Sequence, residues 1–64
     1  MTIGEQIKSV RREIKMRQMV YPGRVRLRKM TAAAAAYEIA AMEAVLKTLQ
    51  GIEQTEPLQL AEEN

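Results

Sequence analysis

Tyr21-Pro22-Gly23-Arg24-Val25-Arg26-Leu27-Arg28-Lys29-Met30-Thr31 decides the fold, because it sets a run of breakers and cations between two helical patterns. Pro22 disfavours helical geometry at Tyr21, and a Pro-Gly pair favours a turn. Residues 22–30 therefore read as an ordered connection in which Arg24, Arg26, Arg28 and Lys29 are interleaved with Val25, Leu27 and Met30.

Upstream of it, Thr2-Ile3-Gly4-Glu5 has the spacing of a capping box, in which the Thr hydroxyl and the Glu carboxylate each satisfy a free backbone N–H. Ile3, Ile7, Val10 and Ile14 then recur at helical intervals, and the register continues through Arg17 to Tyr21. The spacing predicts a helix over about residues 3–20. Downstream, Thr31 is a good N-cap, the alanines at 32–36 have high helix propensity, and Ala35, Ile39, Met42, Leu46 and Leu49 form one stripe. Gly51 is placed to end this second helix, which is predicted over about residues 32–50. Glu13 with Arg17, and Glu43 with Lys47, have the favourable Glu-first spacing of helix ion pairs.

After Gly51 the composition turns acidic and loses its period, with Pro57 in the middle. Residues 53–64 read as a flexible acidic tail with Leu58 and Leu60 as local anchors, which leaves residues 1–52 as the folded unit. The fold class is thus all-α: an antiparallel helical hairpin whose core is Ile7, Val10, Ile14, Tyr21, Ile39, Met42, Leu46 and Leu49.

A domain of about 60 residues buries only about 60% of its unfolded surface. With no Cys and no His in 64 residues, neither disulfides nor a usual zinc site offers support, so oligomerisation is the remaining route. A homodimer forming a four-helix bundle would cover Met16, Met19, Val20, Val45 and Ile52.

The charge changes sign near the middle. Up to Thr31 nine bases face Glu5 and Glu13, a net +7, whereas from Ala32 onward Lys47 faces six glutamates, a net −5. Such segregation steers an acidic partner, or a second copy, toward the basic half. The N-terminal residues lack the basic and apolar regions of a signal peptide, and no apolar run approaches the length of a membrane span, so a cytoplasmic protein without a membrane role is expected.

Catalysis finds little support in these residues. There is no His, Cys or Asp, the glutamates are scattered, and a two-helix hairpin lacks walls for a pocket. No catalytic, cofactor-binding or metal-ligating set is expected; EF-hand spacing and a phosphate-cradling glycine loop are both absent. Two binding candidates remain. Arg24, Arg26, Arg28 and Lys29 put four cations within six residues, suited to phosphates or to an acidic protein face, although surface cations are often only solvated. Tyr37 points away from the core stripe onto a platform of small residues that includes Ala33, Ala41 and Ala44. It suits a partner-binding anchor or the seam between two copies.

The run Val10-Arg11-Arg12-Glu13-Ile14-Lys15-Met16-Arg17, then Val20-Tyr21-Pro22, Lys29-Met30-Thr31 and Glu38-Ile39-Ala40-Ala41-Met42, resembles small proteins encoded by Mu-like transposable phages and their prophages. It is similar to the quorum-sensing anti-activators of Pseudomonas phages. That resemblance implies a two-helix dimer, acting in the cytoplasm of a bacterial host, which binds host proteins such as a LuxR-type transcription activator or a type IV pilus assembly ATPase. The function expected here is accordingly binding and inhibition of a host protein, a transcriptional regulator above all. The alternatives are nucleic-acid binding through the basic loop and a structural adaptor role.

Overall fold

The computed structural model describes the backbone of residues 1–63 and the side chains of residues 1–55. Two helices, α1 (Ile3–Arg26) and α2 (Ala32–Glu63), form an antiparallel hairpin, with no strand among the described residues. The capping box at the start of α1 is present: Glu5 N–H donates to Thr2 Oγ1 at 3.1 Å, and Thr2 N–H donates to Glu5 Oε1 at 3.3 Å. Thr31 caps α2, its Oγ1 accepting from Ala34 N–H at 3.0 Å.

Both helices run past the stops that the sequence suggested. α1 does not end near residue 20 but passes through Pro22 and Gly23 to Arg26. Proline in a helix removes one backbone donor, here the one that would reach the Gln18 carbonyl. Tertiary packing outweighs that loss, because continuing the helix brings Val25 half-buried into one groove with Ala32, Ala35 and Ile39 of α2.

The true end is a Schellman motif. Arg28 N–H donates to the Val25 carbonyl at 3.0 Å and Lys29 N–H to the Arg24 carbonyl at 2.9 Å, which requires Arg28 to sit at φ 58°. An L-residue other than glycine held there costs roughly 1–2 kcal/mol. The four basic residues of this segment also stand at the helix C-terminus, where the backbone dipole favours cations.

Gly51 likewise does not end α2. No glycine has positive φ, so Gly51 is an ordinary helical residue and the backbone stays helical to Glu63. Interior glycine costs a helix about 1 kcal/mol, which weakens it without breaking it. Leu58 and Leu60, expected as local anchors, lie outside the described side chains.

The register is fixed at two levels. Gly4 stands beside Glu53 at the open end, where a Cβ on Gly4 would lie 3.5 Å from Glu53 Oε2, and Arg17 reaches Glu38 nearer the loop. About ten residues of α2 therefore extend past the start of α1, roughly 15 Å at the usual helical rise.

The seam between the helices is thin. Among the described residues only Ile7 (6% exposed) and Ala35 (7%) are buried, while Val10, Ile14, Tyr21, Ile39, Met42, Leu46 and Leu49 are half-buried. The chain measures 55 × 17 × 12 Å with a radius of gyration of 15.8 Å. A compact chain of this length would have about 11 Å. One layer of two helices has no second layer behind it.

Candidate protein-binding surface

Arg17 holds the centre of the hairpin. It occupies a seam position of α1, where an apolar residue would be usual, and its side chain is 21% exposed. Its Nε donates to Glu13 Oε1 at 3.0 Å, and its Nη1 donates to the Glu38 carbonyl oxygen at 3.2 Å and to Glu38 Oε2 at 3.3 Å. The guanidinium carbon lies 6.0 Å from the Tyr21 ring centroid, within cation–π range. The hydrogen bond to Glu13 is the main cause that raises the Arg17 pKa above its ordinary value, with Tyr21 and Glu38 adding to it. Arg17 thereby ties the two helices in one register. Glu13–Arg17 was legible as a pair in the sequence; the tie to Glu38 was not, although a cation in the seam register is the signal that a partner must stand opposite. Glu43 and Lys47 form no ion pair, and these two contacts of Arg17 are the only salt bridges among the described residues.

The contact between Arg17 and Glu38 also reveals which flanks of the two helices share a face. At about 100° per residue, Met16, Val20 and Leu27 lie on the Arg17 side of the α1 seam, and Tyr37, Val45 and Ile52 lie on the Glu38 side of the α2 seam. All six are exposed: Met16 54%, Val20 43%, Leu27 67%, Tyr37 72%, Val45 40% and Ile52 43%. Val20, Val45 and Ile52 stand near the middle of that face; Met16, Leu27 and Tyr37 lie toward its rims. The opposite face carries Lys8, Arg11, Arg12, Lys15 and Arg26, all exposed and none in a salt bridge among the described residues.

The four basic residues of the connecting segment do not form one patch. Arg24 lines a groove on the apolar face with Glu13, Met16, Arg17, Val20 and Tyr21. Arg26 lies toward the opposite face, and Arg28 and Lys29 form the turn. All four are exposed. Tyr37 has alanine at every neighbouring helical position, namely Ala33, Ala34, Ala40 and Ala41, with Ala44 one turn beyond. Ala41 is half-buried and Ala44 exposed, so the ring stands clear above a low surface.

Among the described residues no three His, Cys, Asp or Glu side chains gather where they could hold a metal ion, and no helix is long and apolar enough to cross a membrane. Comparison with family models, with curated proteins and with solved structures finds no match to this chain.

Proposed function

We propose that this chain is a non-catalytic protein-binding protein, a homodimer of helical hairpins packed as a four-helix bundle, that binds and inhibits a host protein by covering a surface the target needs. The observation that carries the reading is the grouping of six large apolar side chains on one face of a hairpin in which two of the described residues are buried. Water-exposed apolar patches of this kind mark contact surfaces. The target class, a transcriptional regulator in a bacterial cytoplasm, rests on the resemblance to the transposable-phage accessory proteins.

Tyr37 is the anchor in this reading. It stands at the rim, 72% exposed, and its alanine neighbours at Ala41 and Ala44 let a partner approach the ring closely. Aromatic anchors of this kind dominate binding energy when they become desolvated. Arg28 and Lys29, at the turn, steer an acidic target toward the loop end. Affinity capture from a bacterial host lysate, run with the native chain and with Tyr37→Ala, tests it. The native chain is expected to retain a regulator that the variant loses at least tenfold; equal recovery by both would remove Tyr37 from the site.

A second reading is favoured by the opposite face, where Lys8, Arg11, Arg12, Lys15 and Arg26 have no acidic partner among the described residues. Such a ridge suits the phosphates of a nucleic acid. Phosphate binding weakens steeply with salt through counterion release, so duplex binding that persists at physiological salt would favour this reading over the first.

A further inference from the structure

We propose that the second copy packs on the apolar face with its loop at the opposite end, so that α1 lies antiparallel against α1 of its mate. This rests on the dimeric reading above and adds the face and the direction. Three observations carry it.

The first is area. The chain exposes 5265 Å², whereas a folded monomer of 7.3 kDa exposes roughly 4,200 Å². The excess, roughly 1,100 Å², is spread over the elongated hairpin and includes the end of α2 that projects past α1. The part of it at Met16, Val20, Val45 and Ile52 is apolar, and a second copy would remove it from water.

The second is the order of charges along the groove of α1. Glu13 stands at one end, Met16 and Val20 in the middle, and Arg24 at the other end. A two-fold axis between residues 18 and 19 superposes this pattern on its own reverse: Glu13 falls level with the mate's Arg24, Arg24 with the mate's Glu13, and Met16 close to the mate's Val20. A closed two-fold interface needs such self-complementarity. Arg24 has no ion pair among the described residues, and Glu13 keeps a half-exposed carboxylate beside Arg17.

The third is what the other packing would do. With both loops at the same end, α1 would lie on the mate's α2. By the register that sets Gly4 beside Glu53, Glu13 would then fall level with Ala44 and Arg24 level with Ala33. Neither charge would meet an opposite one. The other cations of α1, Lys8, Arg11, Arg12, Lys15 and Arg26, lie on the far face, so antiparallel α1 helices do not bring them together.

Because the chain has no cysteine, single cysteines report the arrangement directly. Chains carrying Met16→Cys are mixed with chains carrying Val20→Cys and oxidised, and a second mixture pairs Val20→Cys with Glu38→Cys. The first mixture is expected to form the disulfide-linked dimer and the second is not. The reverse result would overturn the direction while leaving the dimer standing; a dimer that cross-links in neither mixture would overturn the face. In parallel, Arg24→Glu places like charges together and is expected to weaken self-association of the full chain roughly tenfold, in keeping with two lost ion pairs. An unchanged dissociation constant for a variant that keeps its helical circular dichroism would also overturn the pairing. A monomeric native chain would remove the dimeric reading itself.

Discussion

The two broad faces of the hairpin are built by the same pair of helices and differ in what water does to them. On one, Met16, Val20, Leu27, Tyr37, Val45 and Ile52 are exposed against a solvent that disfavours them; on the other, Lys8, Arg11, Arg12, Lys15 and Arg26 are exposed, with Met19 beside Arg12 as an exposed apolar side chain. The inner seam, with Ile7 and Ala35 buried among the described residues, does not distinguish these faces, since it lies between the helices and serves both. The difference is what the proposed dimer rests on: one face offers apolar surface that a second copy would cover, and the other, Met19 apart, does not. At about 25 cal/mol per Å², covering several hundred Å² of the apolar face is worth many kcal/mol before the entropy of association is subtracted.

The largest expected effect is on that contrast. Val20→Glu with Val45→Glu should weaken self-association a hundredfold or more, because both charges would be placed in the middle of the apolar face. Arg12→Glu with Lys15→Glu should change it less than twofold. Sedimentation velocity across a concentration series reads both. Similar effects from the two pairs would erase the distinction between the faces.

Next comes Tyr37, at the rim of the apolar face, the proposed anchor for a protein partner. Tyr37→Ala should reduce capture of the protein partner at least tenfold and leave the dimer dissociation constant within about threefold, consistent with a single aromatic hot spot of about 2 kcal/mol. A variant that loses both together would move Tyr37 from the rim into the seam between copies.

Smaller effects sharpen the frame that holds the faces in place. Arg28→Gly relieves the positive φ at the end of α1 and should stabilise the fold by about 1 kcal/mol in chemical denaturation. Thr31→Ala removes the cap of α2 and should cost about 1 kcal/mol. Arg17→Met should lower the melting temperature and loosen the register, since Glu13 and Glu38 lose the cation they share.

The capping box, the N-cap at Thr31, and the stripes through Ile7, Val10, Ile14 and through Ile39, Met42, Leu46 were legible in the sequence, because local chemistry and helical period set them. The helix ends were not. Pro22-Gly23 and Gly51 carry the composition of stops, yet α1 gains Val25 in the seam by continuing, and the left-handed position that glycine usually takes falls on Arg28. A pattern of residue types records preference, not the tertiary contact that overrides it. The basic segment read as one patch; helical geometry splits it, with Arg24 on the apolar face and Arg26 toward the other. The exposed apolar residues were visible one by one, but their meeting on a single face depends on which flanks of the helices share a side, and that follows from the contact of Arg17 with Glu38.

The most direct test is the solution mass of the full chain by light scattering at micromolar concentration, alongside its circular dichroism. A helical species of twice the 7.3 kDa chain mass is the expected result. A stably helical particle of one chain mass, with its apolar face left in water, would contradict the account.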